Sequence, residues 1–124
     1  MDDIFNKDII INSQYNSSNL CELIKDLQIK DCQKNNALKI LSTLIKKKWQ
    51  IPHSVANVDS FFSLIWIDSI KDICISLMFS EDGSTYYIHR KDEMLIEAIV
   101  LDIEDDDYLL PFLASKIYGV IKSY

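Results

Sequence analysis

Residues 61–80 read FFSLIWIDSIKDICISLMFS, and apolar side chains alternate in position along both halves of this stretch. Successive side chains of an extended chain point to opposite faces, so a period of two indicates β-strands. The residues that would share one face are Phe62, Leu64 and Trp66 in the first half and Ile73, Ile75, Leu77 and Phe79 in the second. Residues 68–72 between the halves are few enough for a hairpin. The stretch therefore predicts two adjacent antiparallel strands with Trp66 in the core.

The sequence that follows predicts two more strands. Asp82-Gly83 supplies residues that tolerate positive φ in a tight turn, and residues 85–88 are aromatic or β-branched. A fourth strand is predicted over residues 94–101, where Ile96, Ala98 and Val100 alternate with the residues between them. The sheet is thus predicted to be a four-stranded antiparallel meander.

Segments with helical periodicity precede and follow the predicted strands in the sequence. Ser17-Ser18 can cap a first helix, and Asp31 can cap a second that ends before Pro52. Carboxylates at residues 105–107 favour the start of a last helix, with Pro111 in its first turn. The predicted buried stripes are Leu20, Leu23, Ile24 and Leu27 in the first helix, Leu38, Leu41, Leu44 and Ile45 in the second, and Leu110, Leu113, Ile117, Val120 and Ile121 in the third.

The order of these elements indicates the fold class. Two helices form an N-terminal hairpin, four strands follow, and a C-terminal helix packs on the sheet, which is an α+β arrangement because the elements are segregated along the chain. Gly119 in the last helix suggests a close approach to the sheet. A length of 124 residues is that of one domain, so 1–124 is predicted to be a single domain.

Composition narrows the class of protein. The chain is 48% hydrophobic and 26% charged, as is usual for a globular protein. No apolar run approaches the length of a membrane span, and the short triplet Ile9-Ile10-Ile11 follows no basic segment, so neither membrane insertion nor export is expected. Cys21, Cys32 and Cys74 are odd in number and far apart, which favours a reducing cytoplasm.

Charge is distributed unequally along the chain. Residues 1–62 hold seven acidic and eight basic residues, a net charge of +1, whereas residues 63–124 hold twelve and five, a net charge of −7. Residues 92–107 contain eight carboxylates and no Lys or Arg. Such asymmetry indicates the kind of partner and not the fold. The predicted partner is a basic protein that is steered by this acidic edge and anchored by nearby tyrosines. The predicted binding residues are Asp92, Glu93, Glu97, Asp102, Glu104, Asp105, Asp106, Asp107, Tyr86 and Tyr108, with Tyr87 as a further anchor.

Several kinds of site are disfavoured by the residues. Gly83 and Gly119 are the only two glycines, so no phosphate-binding glycine loop can be written, and the cysteines and histidines lack zinc-ligand spacing. No cofactor and no metal is therefore predicted. Asp102, Glu104 and Asp106 recur at every second residue and could hold a divalent ion on a strand, but acidic helix caps look the same. Residues 46–48 are three lysines, yet the chain's pI of about 4.7 disfavours direct nucleic-acid binding.

The order of several residues and short motifs along residues 49–90 resembles that of a known type of module. Pro52 comes first, then Trp66 before a hairpin, then Ser80-Glu81-Asp82-Gly83 before Tyr86-Tyr87, an order similar to a module of small bacterial proteins. Size, acidity and α+β order resemble the immunity proteins of contact-dependent inhibition and related polymorphic toxin systems. This resemblance implies a cytoplasmic protein, a monomer when free, that occludes the active site of a nuclease-like toxin domain.

Two alternatives stay open at this point. A secretion chaperone is also small, acidic and α+β, but it binds an extended effector segment as a homodimer, so oligomeric state would separate it from an immunity protein. A small enzyme is the other alternative, with His89 as the general base near Arg90, Glu81 and Asp82. No catalytic signature accompanies His89, so a non-enzymatic binding protein is the preferred hypothesis.

Overall fold

The computed structural model describes residues 9–12 and 17–121. In chain order the elements are β1 (Ile9–Asn12), α1 (Ser17–Asp26), α2 (Asp31–Lys47), β2 (Ser54–Val58), β3 (Phe61–Asp68), β4 (Ile73–Ser80), β5 (Thr85–Lys91), β6 (Met94–Leu101) and α3 (Asp106–Leu113). Helix α3 runs on into a π-helical turn, Ala114–Tyr118, and a last α-helical turn, α4 (Gly119–Ile121). The α+β class, the N-terminal pair of helices and the C-terminal helix are as predicted.

The sheet has more strands than the sequence indicated. Within residues 9–12 and 17–121, six strands lie in the order β1 to β6, and every neighbouring pair is antiparallel. The predicted four-stranded meander is the part from β3 to β6, and the predicted number is wrong because β1 and β2 extend it. Strand β2 reads SVANV, in which small residues leave no alternation of large apolar side chains, so its period is hidden.

The core lies between one face of the sheet and the helices. Trp66, Phe62 and Leu64 on β3 are fully buried with the inward residues of the neighbouring strands, as predicted. The indole Nε1 of Trp66 donates to the carbonyl oxygen of Gln50 at 2.9 Å, which joins β3 to the segment after α2. The largest of the fully buried side chains therefore lie on the central strands β3, β4 and β5.

Helix α2 is rotated relative to its predicted stripe. Gln33 is buried, accepts a hydrogen bond from Lys30 N, and donates to the carbonyl oxygens of Phe79 at 2.8 Å and Ser60 at 3.0 Å. These bonds hold the Gln33 face of α2 toward the sheet. Leu38 and Ile45 are therefore only half-buried. The residues of α2 that are buried are Gln33, Ala37, Ile40, Leu41 and Leu44. The predicted cap is also wrong, because Lys30 occupies the N-cap and Asp31 lies in the first turn.

The C-terminal helix begins where it was predicted to begin, but its later residues differ from the prediction. Asp105 caps α3 by accepting from the backbone N–H groups of Asp107 and Tyr108. Pro111 is the sixth residue of α3 and not part of its first turn, and Gly119 faces solvent instead of the sheet. Residues that are four apart do not stay on one face of an α-helix, which has about 3.6 residues per turn. The π turn has more residues per turn, so it brings the later residues of the series back to the same face. The series that stays buried is Leu109, Leu113, Ile117 and Ile121.

Candidate functional site

The acidic stretch of the sequence does not form one continuous edge. Asp92 and Glu93 make the two-residue turn between β5 and β6, both with positive φ, of 53° and 64°. The carboxylates of residues 102–107 follow the other end of β6. Strand β6 has eight residues, which at about 3.4 Å each separates the two groups by about 27 Å. The predicted surface is therefore divided between two ends of the sheet.

One end of the sheet gathers carboxylates from several parts of the chain. Thr85 pairs with Leu101, and Phe61 pairs with Ser80, so the β2–β3 turn, the β4–β5 turn and the β6–α3 loop all lie at this end. Asn36 of α2 donates to Gly83 O at 3.1 Å and brings the start of that helix there as well. We call this region the acidic end, and its carboxylates are Asp26, Asp31, Asp59, Glu81, Asp82, Asp102, Glu104, Asp105, Asp106 and Asp107. Its lysines are Lys25, Lys30, Lys34 and Lys39.

Some of these carboxylates stabilise the fold. Asp105 caps α3, and Asp102 Oδ1 accepts from Glu104 N at 3.2 Å. Asp106 forms an ion pair with Lys39 at 3.1 Å. Asp82 accepts from Ser84 N at 2.9 Å, and the hydrogen bonds from Ser84 lower the pKa of the Asp82 carboxyl below its usual value.

Other carboxylates are available to a partner. Asp59, Glu104 and Asp107 are exposed, and their side chains have no hydrogen-bond or ion-pair partner within residues 9–12 and 17–121. The helices α2 and α3 both begin at this end, so their partial positive termini face the carboxylates and stabilise the concentration of negative charge.

The opposite end of the sheet carries mixed charge. Asp92 N donates to Asp72 O at 2.9 Å, which holds the β5–β6 turn against the β3–β4 turn. Lys91 Nζ donates to the carbonyl oxygen of Lys71 at 3.1 Å in the same place. With Arg90, these two lysines face four carboxylates at this end, those of Asp68, Asp72, Asp92 and Glu93. Asp92 and Glu93 are exposed, as a partner-binding role requires, but their surroundings do not have a single sign.

Glu97 lies apart from both ends. It sits on the core-facing side of β6, pairs in register with His89, and its carboxylate accepts from Lys116 of the π turn at 2.9 Å. This ion pair fixes the C-terminal helix to the sheet, so the structure gives Glu97 an internal partner.

The three tyrosines that the sequence predicted as anchors occupy three different environments. Tyr86 is half-buried on the sheet face away from the helices, with its ring centroid 6.2 Å from that of Phe61. Tyr108 in α3 is 37% exposed and lies beside the acidic end. Tyr87 is fully buried against Phe112, and that burial raises the pKa of its hydroxyl, with a further contribution from Glu97. Tyr87 is therefore a core residue and not a surface anchor.

His89 lies at the interface between the sheet and the C-terminal helix. Its Nε2 atom is buried and has no hydrogen-bond partner within the described residues. Burial lowers the pKa of the imidazole, opposed by the nearby carboxylate of Glu97 and reinforced by Lys116 and Lys91. Burial therefore favours the neutral imidazole, and neither of the two cavities that border α2 reaches His89.

These two cavities are shallow. The larger, of about 420 Å³, lies between α2 and α3, and its lining residues are Lys39, Ser42, Thr43, Lys46, Lys47, Asp106, Leu109 and Leu110. The smaller, of about 330 Å³, is lined by Leu27, Gln28, Ile29, Lys30, Lys34 and Glu81. Lys46 and Lys47 are in the last turn of α2, where they stabilise the negative end of the helix dipole. The lysine run therefore has a role in the fold.

The exposure of β6 is a feature that the sequence pattern did not predict. Met94, Leu95, Ile96 and Val100 are between 56% and 68% exposed, although the strand is apolar on both sides. In the part of the chain that the structure describes, the helices cover the inward face of the sheet and β6 is its last strand. The apolar residues at consecutive positions 94–96 were the available signal, because a strand with one covered face alternates.

Other site types find no support among the described residues. Within residues 9–12 and 17–121, no three His, Cys, Asp or Glu side chains converge as metal ligands. Asp102, Glu104 and Asp106 do not share a strand face, since β6 ends at Leu101. In the same part of the chain, none of the helices has both the length and the apolar composition needed to cross a membrane. Comparison of the chain with known protein families, with curated proteins and with solved structures finds no match.

Proposed function

We propose that this protein binds and neutralises a basic protein partner through its acidic end, and that the partner is a bacterial toxin domain of the nuclease type. The observation that carries the proposal is the convergence of ten carboxylates from separate segments at one end of the sheet, against four lysines. Sequence order alone would not place Asp59 and Asp82 at the same end of the sheet as residues 102–107. The fold concentrates negative charge beyond what the linear stretch provides.

Such a surface acts chiefly on association. Potentials of one sign over a surface raise the rate at which an oppositely charged protein docks, and this effect weakens as salt screens it. Nucleases present cationic clefts because they bind phosphates. A rim of carboxylates with exposed Glu104 and Asp107 is complementary to such a cleft. Occlusion of the cleft would neutralise the enzyme without any chemistry by the inhibitor.

The resemblance to immunity proteins supports the same proposal. An immunity protein would act in the cytoplasm as a monomer that forms a one-to-one complex. A secretion chaperone would use a homodimer to hold an extended segment, and a mass measured by light scattering at micromolar concentration separates the two. A stable dimer of the free protein would favour the chaperone.

The first experiment asks whether a partner of the expected kind exists. The product of the adjacent gene is expressed alone and together with this protein, and growth of the host is followed. Growth arrest by that product alone and recovery on co-expression would support the proposal, particularly if the product is basic. An adjacent product without effect on growth, or one that stays toxic on co-expression, would contradict it.

The second experiment tests the acidic end itself. The variant Asp59→Asn/Glu104→Gln/Asp107→Asn removes three charges that have no intramolecular partner in the described structure and leaves the Asp105 cap in place. We expect association with the toxin domain to slow about tenfold or more at low salt and the difference to shrink as salt rises. The control is Asp72→Asn/Asp92→Asn/Glu93→Gln, an equal charge change at the mixed end. Equal association rates for wild type and the first variant at low salt would refute a steering role.

A further inference from the structure

The outer edge of β6 is an open strand edge. Strand β6 pairs with β5 on one side and is the last strand of the sheet. Within residues 9–12 and 17–121, no backbone hydrogen bond from another element reaches residues 94–101 along the outer side. The side chains beside it include Met94, Leu95, Ile96 and Val100, all more than half exposed. A long apolar edge of this kind is a template for one more strand.

Charge argues against a second copy of this chain as that strand. Two copies of β6 that pair antiparallel along their full length would set the N-terminal end of each strand beside the C-terminal end of the other. Asp92 and Glu93, which precede β6, would then lie near Asp102 and Glu104 of the second copy, which follow it. Like charges gathered at both ends of such a pair are unfavourable.

The same charges favour a basic occupant. The C-terminal end of β6 meets the acidic end at Asp102, whereas its N-terminal end meets the β5–β6 turn, where charges of both signs are present. We infer that β6 receives an extended segment of the basic partner as a seventh strand, with apolar residues along the edge and Lys or Arg beside residues 102–107. This inference rests on the proposed function and specifies how that partner is held.

The sheet also sets the direction of the added strand. Every existing pair is antiparallel, and antiparallel pairing is slightly more stable per residue than parallel pairing. The added segment therefore runs against β6, and its N-terminal residues lie beside Leu101 and Asp102. Its basic residues are accordingly at its N-terminal end, followed by alternating apolar residues.

Peptides of fixed composition test this geometry. The probe is Lys-Lys-Lys-Thr-Val-Thr-Val-Thr-Val-Thr, and the control has the same residues in reverse order. Fluorescence anisotropy should show the first peptide binding the full chain about tenfold tighter, with an affinity that falls with salt. Only alternate N–H groups of an added strand point toward β6. N-methylation of that set of backbone nitrogens should therefore abolish binding, and methylation of the other set should not. Equal affinities for the two peptides, equal effects of the two methylated sets, or no binding would overturn the inference.

A protein variant separates strand pairing from charge attraction. The variant Ile96→Glu/Val100→Glu adds negative charge at the edge of β6 and removes apolar contact. If charge attraction alone binds the basic peptide, this variant should bind it more tightly. If the peptide adds as a strand, binding should be at least about tenfold weaker. Ile67→Glu/Ile70→Glu is the matched control, at exposed positions away from β6. Tighter or unchanged binding by the β6 variant would contradict strand addition. If that variant binds the toxin domain normally while the amide variant of the acidic end does not, the proposed function stands and the inference about β6 fails.

Discussion

Glu97 on β6 accepts a 2.9 Å ion-pair hydrogen bond from Lys116, which lies in the π-helical turn of the C-terminal helix. The two side chains are 35% and 31% exposed, so the pair is partly shielded from solvent at the junction of sheet and helix. Glu97 belongs by sequence to the acidic stretch, but this contact makes it part of the fold. Stability measurements should therefore distinguish it from the carboxylates of the acidic end.

We expect Glu97→Gln and Lys116→Met to be coupled. A double-mutant cycle on the free energy of unfolding should give an interaction of about 0.5–1 kcal/mol, because partly shielded pairs are worth slightly more than exposed ones. The matched comparison is Glu104→Gln, whose side chain has no partner among the described residues and whose loss should change stability by less than about 0.5 kcal/mol. A coupling energy of zero would show that the Glu97–Lys116 pair does not hold the helix.

Gln33 should be sensitive to an apolar substitution. The variant Gln33→Leu keeps the size of the side chain but leaves the carbonyl oxygen of Phe79 without its donor in a buried position. Loss of a buried partner costs about 1–3 kcal/mol, which urea titration can resolve. Gln28→Leu at an exposed position is the control and should be nearly neutral. A Gln33→Leu protein as stable as wild type would mean that the amide does not fix the rotation of α2.

Trp66 should be the most costly of the tested residues to truncate. Its side chain is fully buried on β3, and Trp66→Ala should lower the free energy of unfolding by about 3–5 kcal/mol. Trp66→Phe retains much of the buried area but loses the bond to Gln50 O, so a smaller loss is expected. Thermal melting of both variants beside Ile70→Ala, at a residue that is 88% exposed, provides the comparison. Melting of Trp66→Ala within a degree or two of wild type would refute the strand register.

Stability should fall as the solution becomes mildly acidic. Burial lowers the pKa of both His53 and His89 below the ordinary 6.5, so the unfolded chain binds more protons between the folded pKa values and 6.5. His53 has a visible reason to stay neutral, because its Nδ1 accepts a hydrogen bond from Ile67 N at 2.9 Å. The free energy of unfolding should be constant above about pH 7 and decline toward about pH 5.

Variants of the two histidines should show how much of this pH dependence each histidine causes. His53→Gln and His89→Gln should each reduce the slope of unfolding free energy between about pH 7 and pH 5, and the double variant should be nearly flat there. A double variant that keeps the full slope would show that other groups cause it.

Part of the fold follows from local pattern. The alternation around Phe62, Leu64 and Trp66 requires strands with one buried face, and the Asp82-Gly83 turn requires the positive φ of 93° that Gly83 adopts. Helix positions, the Asp105 cap and the α+β order follow in the same way from spacing and capping preferences. The sequence also indicated correctly that carboxylates crowd around the start of the last helix.

The periodic elements, the inward face of the central strands and the acidic character of the C-terminal half could all be predicted from the chain, because they depend on neighbours in sequence. Contacts between distant segments set the remaining features. Strand pairing placed Asp59 and Asp82 at the same end of the sheet as residues 102–107, and it placed Asp92 and Glu93 at the opposite end. Packing of the π turn paired Glu97 with Lys116, and the order of the strands left β6 as an open edge. Charges that are adjacent in sequence are separated by the length of a strand, and charges that are distant in sequence meet where strands end.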